Sequence, residues 1–130
     1  MIKPNEAFQR YLAYWRDLPE IEKIQCTFAR PKILTTELHC CGMAVLTNLQ
    51  VDRLSDNMLK GIVCDEISKY LLEPPRSLGI YPYRNLFYFA GAAYGQMFEF
   101  LTEIGFVKTN TFKNFAHDNA PLYMYALLNE

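Results

Sequence analysis

Neither sign of charge dominates this 130-residue chain: 13 lysines and arginines stand against 14 aspartates and glutamates, a formal net charge of −1. So close a balance sets up no field of the kind that gathers DNA, RNA or an anionic membrane, and leaves nucleic acid only a local patch. Cysteine is scarce and follows no ligand pattern. Cys26, Cys40, Cys41 and Cys64 make neither a CxxC pair nor a zinc-knuckle spacing, and the first residues do not read as a secretory signal. Reduced, buried thiols in a cytosolic protein are the expectation. Long apolar runs are missing as well. The longest uncharged stretch near the middle, Leu86 to Phe98, is too short and too broken by glycine to cross a bilayer, so the chain is expected to be soluble and cytoplasmic, with no membrane contact. Repeats, linkers and low-complexity segments are also absent.

What is present suits an ordinary globular protein. Apolar residues make up 51% and charged residues 21%, and 130 residues are enough for one domain, 1–130, with its own core. After Pro4, NEAFQRYLAYWRDL puts Phe8, Leu12 and Trp15 on one helical face, with Asn5 as cap and Pro19 as stop. From Ile21 the texture turns to IQCTFA and then ILTTELHCCGMAVLTNLQV, in which alternation and β-branching predict two or three antiparallel strands. DRLSDN ends that pattern. Ser55 or Asp56 then caps a helix whose apolar positions are Met58, Ile62, Val63, Ile67, Tyr70 and Leu71 and which ends before EPPR. A strand, LGIYPY or NLFYFA, follows. A third helix from about Ala92 to Ile104 is closed by Gly105 as a left-handed cap, and a last hairpin pairs GFVKTNTFKNF with PLYMYALLN across AHDNA. The order predicts an α/β (α+β) fold, a mixed and mostly antiparallel sheet flanked by helices.

Few side chains point to chemistry by themselves. His39, Cys40 and Cys41 invite a metal or nucleophile reading, but neighbouring cysteines in a strand face opposite ways and suit one ion poorly; no metal is expected. His117 lies in AHDNA, where a turn explains it. The stretch YPYRNLFYFAGAAYG holds Tyr81, Tyr83, Phe87, Tyr88, Phe89 and Tyr94 with only Arg76 and Arg84 nearby, which is poor material for stacking bases. Because alternate strand residues face opposite sides, some of these rings must leave the main core, and a protein partner or self-association is the expected cover. Gly61, inside the middle helix, reads either as a tolerated helix glycine or as a place where a phosphate approaches backbone.

Three segments resemble the GCN5-related N-acetyltransferase (GNAT) superfamily without its first strand, a shortened N-terminus. LTNLQV is similar to that family's fourth strand, which leads to the helix start where acetyl-CoA pyrophosphate binds; LKGIVCDEISKYL resembles the helix that follows. FEFLTEIGFVKTNTFKN is similar to its last helix, Gly-Phe stop and next strand. The resemblance spans Ile24 to Leu128 and implies acetyl-CoA as cofactor, held by Leu49, Val51, Met58, Lys60, Gly61 and Val63. Of the family's phosphate-loop positions, Met58, Gly61 and Val63 keep only the glycine. Where many members carry a carboxylate base this chain has Val45, with Thr47 nearby, and where they carry a tyrosine acid it has Leu101.

Gln50, Val51, Arg53, Leu54 and Ser55, with Phe100, Leu101, Ile104 and Gly105, also resemble small degenerate acetyltransferase-like proteins of tailed bacteriophages. The implied function is a catalytically degenerate accessory or host-directed protein-binding factor, in host cytoplasm or virion. The alternative is an active acyl-CoA-dependent N-acetyltransferase in which an amine attacks the thioester directly and a strand amide near Leu49 or Val51 holds the oxyanion. A third reading, an inhibitor occupying a nucleic-acid enzyme's site, requires Glu20, Glu22, Asp52, Asp56, Asp65 and Glu66 to converge into one acidic face.

Overall fold

A computed structural model describes residues 4–38, 41–50, 56–72, 85–91, 95–115 and 117–128. Asn5 starts the first helix as expected. Its Oδ1 accepts from the Phe8 N–H at 2.9 Å, capping α1 (Glu6–Arg16), while its Nδ2 donates to the Glu103 carbonyl, also at 2.9 Å. One side chain thus caps a helix and ties it to residues 98 positions away. Phe8 and Trp15 are buried and Leu12 is half-buried, the face that the spacing predicts.

IQCTFA is not a strand. It falls in α2 (Glu20–Gln25) and a 3-10 turn (Thr27–Ala29). Pro19 decides this: its φ of −59° leads into a helix, and its carbonyl accepts from the Glu22 and Lys23 N–H groups. Glu20 and Glu22 sit at the positive end of the short helix, and Thr27 Oγ1 closes it on the Ile24 carbonyl at 2.8 Å. Two strands therefore follow, not three: β1 (Lys32–Leu38) and β2 (Cys41–Thr47), an antiparallel hairpin in register from Lys32↔Thr47 to Leu38↔Cys41. The strand also stops earlier than LTNLQV suggests. Asn48 turns the backbone to φ 61°, a conformation asparagine tolerates, and residues 48–50 lie outside the sheet.

The remaining elements are α3 (Asn57–Leu72), β3 (Asn85–Ala90), α4 (Gly95–Glu103), β4 (Val107–Phe112) and β5 (Leu122–Leu128). NLFYFA is the strand; LGIYPY lies outside the described residues, as does the Ala92 start expected for the last helix. Gly105 adopts φ +109° after α4, and the Phe106 N–H donates to the Leu101 carbonyl at 2.8 Å, so the helix is closed by the glycine expected there. The last hairpin turns where Asp118 Oδ1 accepts from the Ala120 N–H and the Phe115 N–H reaches the Ala120 carbonyl.

The strands lie in the order β1-β2-β3-β5-β4. β2 and β3 run parallel; the other pairs are antiparallel. On one sheet face Ala44, Leu46, Leu86, Tyr88, Ala90, Tyr125 and Leu127 join Val63, Cys64 and Ile67 of α3, Met97, Phe100, Leu101 and Ile104 of α4, and Phe8 in one buried cluster. A second cluster, Trp15, Ala29, Leu59 and Ile62, fills the space between α1, the 3-10 turn and the outer side of α3. The middle helix is thus buried on two sides, where an amphipathic pattern suggests one.

Candidate functional site

The parallel pair at the centre of the sheet is short. Register joins only Ala44↔Leu86 and Val45↔Phe87; beyond them β2 continues through Leu46 and Thr47, and β3 through Tyr88, Phe89 and Ala90, without pairing to each other. On its other side β3 stays paired with β5 along all six residues. Parting strands leave backbone N–H and C=O groups turned into the gap, where an extended ligand can take them up. Tyr88 is the one titratable side chain on the two parting ends. It is buried, and burial pushes its phenol above the ordinary tyrosine range, which keeps it protonated. Sequence reasoning passed over it because NLFYFA offers several rings and only the alternation, Leu86, Tyr88 and Ala90 inward, singles it out. Phe87 and Phe89 point away from the cluster and remain half-buried, as expected of some rings in this stretch; Tyr81, Tyr83 and Tyr94 lie outside the described residues.

Five of the six residues expected to hold acetyl-CoA are described, each with its own surroundings. Gly61 faces α1. A Cβ built on it would lie 2.6 Å from Trp15 Cβ and 3.0 Å from the Tyr11 carbonyl oxygen, so the glycine is where two helices touch and no side chain has room. Lys60 also turns to α1, with Nζ 5.4 Å from the centroid of the Tyr11 ring. Val63 is in the core at 2% exposure. Met58 is half-buried, and its N–H is taken at 2.8 Å by Asp56 Oδ1, which makes Asp56 the cap and sets a carboxylate at the start of α3. Leu49 is half-buried against the main cluster, and Val51 lies outside the described residues. The positions where the family carries an acid and a base are equally inert: Leu101 is fully buried and Val45 is half-buried.

Behind α3 lies an ion cluster. Asp65, only 6% exposed, meets Arg30 at 3.1 Å, Arg16 at 3.5 Å and Lys69 at 3.5 Å, and Arg30 also meets Glu66 at 2.6 Å. Burial works to raise the Asp65 pKa, but the Arg30 hydrogen bond together with the Lys69 and Arg30 charges outweighs it and holds the carboxyl below its usual range. The same contacts raise the Arg30 pKa against its own desolvation. Of the six carboxylates that an acidic mimic requires, Asp65 and Glu66 are thus paired with cations and Glu20 meets Lys23 at 3.5 Å, while Asp52 lies outside the described residues. An open groove of about 820 Å³ runs from this cluster past Phe28, Lys32, Leu34 and Leu49.

Thiol chemistry finds no support in Cys64. It is fully buried, and burial pushes its pKa far above the thiol range, with Glu103 and Asp65 adding to the shift. Among the described residues no three His, Cys, Asp or Glu side chains group as metal ligands, and no described helix is long and apolar enough to cross a membrane. Of the histidine and cysteines read together, His39 and Cys40 lie outside the described residues.

No protein-family model matches the chain, and no curated protein does. Among solved structures it is similar to a chain of the NatC complex bound to Gag peptide and CoA, with a TM-score of 0.54 and 11% identity over 98% of this chain and 97% of that one. It is also similar to a protein assigned as a phosphinothricin N-acetyltransferase, with a TM-score of 0.52 and 9% identity over 95% and 89%. What these chains share with this one is the fold, the mixed α+β sheet of the GNAT acetyltransferases.

Proposed function

We propose that the chain is an acetyltransferase-fold protein that has given up acyl transfer and works by binding another protein, the accessory or host-directed role that the bacteriophage resemblance implies. One observation carries this reading: the start of α3 is turned to internal use. Asp56 places its carboxylate on the Met58 N–H, and Gly61 is pressed against Trp15. A pyrophosphate arriving there meets a negative charge that already satisfies a helix-start donor, and no glycine opens the backbone to it. The half-buried Phe87 and Phe89, on the sheet face away from the main cluster, supply apolar surface for a partner. Calorimetry of the folded chain with acetyl-CoA tests the reading. The expected result is no binding heat up to about 1 mM, a free energy weaker than roughly −4 kcal/mol. Micromolar binding followed by acetylation of an amine would overturn it.

A second reading, an acyl-CoA-dependent N-acyltransferase, draws on the parting of β2 and β3. The gap suits an extended pantetheine arm, while the start of α3 suits a pyrophosphate poorly. Bound there, acetyl-CoA would supply an activated acyl group. The chain's own part would be to align backbone donors near Leu49 with the reacting carbonyl and to present the protonated Tyr88 phenol to the leaving group. Acetyl transfer that falls at least tenfold in Tyr88→Phe, with acetyl-CoA affinity unchanged, would select this reading over the first.

A further inference from the structure

The short helix α2 is packed inside out. A surface helix ordinarily turns its apolar side chains to the protein and its charges to water. In α2 the one residue of the six that is not exposed is a lysine: Lys23 is half-buried, and its Nζ donates to the Arg16 carbonyl at 3.0 Å and meets Glu20 at 3.5 Å. The isoleucines point outward. Ile21 is 68% and Ile24 66% exposed, and Phe28, four residues further on, is 61% exposed. Three large apolar side chains so placed show water roughly 300–400 Å², a patch of the size that on a single chain commonly serves recognition.

Charge of one sign borders the isoleucines. With about 100° between successive helical residues, the order around α2 is Lys23, Glu20, Ile24, Ile21, Gln25, Glu22, so a glutamate lies beyond each isoleucine. Asp17, just ahead of the helix, is exposed as well. The nearby cations are engaged within the chain: Lys23 as above, Arg16 by Asp65, and Arg30 by Asp65 and Glu66, which leaves Lys32 in the groove past Phe28. That border discriminates among occupants. A second copy would set acid against acid across a two-fold contact, and an anionic membrane or a nucleic acid would be repelled, whereas an apolar surface edged with cations is matched.

We propose that Ile21, Ile24 and Phe28 form the docking face for an amphipathic helix of a partner protein, one with apolar residues at helical spacing and lysine or arginine along both borders. The proposal rests on the protein-binding reading above and gives the partner its chemistry, on a surface other than Phe87 and Phe89. Docking takes the two isoleucines and the phenylalanine out of water and sets the partner's cations beside Glu20 and Glu22. The apolar contact supplies the affinity, and the charges set which helices are accepted.

Fluorescence anisotropy tests this with a labelled amphipathic helix of about 18 residues, made of leucine and lysine and titrated with the full chain. The expected result is saturable binding with a Kd of about 1–100 μM. Replacing both isoleucines, Ile21→Ser with Ile24→Ser, is expected to weaken it at least tenfold, and Glu22→Lys by roughly three- to tenfold. Both variants should keep the parent's circular dichroism spectrum, because the altered side chains are exposed. A leucine and glutamate peptide of the same pattern should not bind. No binding of the leucine and lysine peptide overturns the proposal, and so does binding that both variants leave unchanged or that the glutamate peptide shares. A parent chain that sediments as two copies, and as one after the double serine change, overturns it too, because the stripe is then covered by its own kind. Failure with the peptide strikes this surface alone; the acetyl-CoA calorimetry above judges the binding role.

Discussion

Gly61→Ala is the sharpest test of how the helices meet. Were Gly61 an ordinary helix position, alanine would stabilise the chain by about 1 kcal/mol through propensity alone. The structure predicts the opposite sign. The new methyl would lie 2.6 Å from Trp15 Cβ and 3.0 Å from the Tyr11 carbonyl, against an optimum near 3.5–4.0 Å for carbon, so α1 must retreat by roughly 1 Å. No rotamer change relieves this, because both opposing atoms belong to the backbone of α1 or sit next to it. Retreat loosens Phe8 and Trp15, both buried, and overpacking of this kind costs roughly 1–3 kcal/mol. Taking the upper end because the obstacle is backbone, and subtracting the propensity gain, leaves a loss of about 2 kcal/mol, or a melting temperature lower by roughly 6–10 °C. Urea and thermal unfolding of the two chains measure it. Unchanged or higher stability would refute the close contact. If acetyl-CoA bound the parent chain and alanine abolished that binding without loss of stability, the glycine would belong to a phosphate site after all.

Three further outcomes follow from single residues. The Asp65 carboxyl titrates below its unfolded value, so the stability it contributes is complete above about pH 4 and is lost as pH falls through the lower folded value. Asp65→Asn should cost roughly 1–3 kcal/mol at neutral pH, less than a fully buried pair because Arg30 keeps Glu66, and should flatten the acid limb of a stability–pH curve. A mutant curve as steep as the parent's would place the acid sensitivity elsewhere. Gly105→Ala forces a side chain to φ +109° with Leu127 Cδ1 3.3 Å away, and should lower stability by more than about 1 kcal/mol; an unchanged unfolding midpoint would contradict that backbone. In a chain whose other three cysteines are replaced by alanine, Cys64 should resist a thiol reagent until the protein unfolds, so rapid labelling under native conditions would show the helix packing to be looser than described.

Local chemistry made several elements legible in advance. Asn5, Asp56 and Gly105 act within a few residues of where they stand, and each begins or ends a helix as its side chain, or lack of one, dictates. The inward set of β3 follows from alternation. What misled was texture without punctuation: IQCTFA has strand-like residues, but Pro19 and two early glutamates start a helix before that preference can act. Likewise the strand ending LTNLQV is cut at Asn48, where one left-handed residue outweighs the apolar run around it. A single φ constraint at an element's boundary outranks several weak propensities inside it.

The candidate site was less legible, because its decisive contacts join distant parts of the chain. Nothing near Gly61 announces Trp15, 46 positions earlier, and nothing near Asp65 announces Arg30. A helix glycine after a strand and a turn satisfies a phosphate motif and a helix crossing equally well until the partner helix is placed. Asp56 has the same ambiguity at closer range. As a cap it is simply good local chemistry, yet that carboxylate also fixes what the helix start can receive, since the donor it occupies and the charge it brings both count against an anion. Asp56→Asn keeps a capping oxygen and removes the charge. If the second reading is right, that change should tighten acetyl-CoA binding; if the first is right, the parting strands alone do not hold the ligand, and neither form should bind.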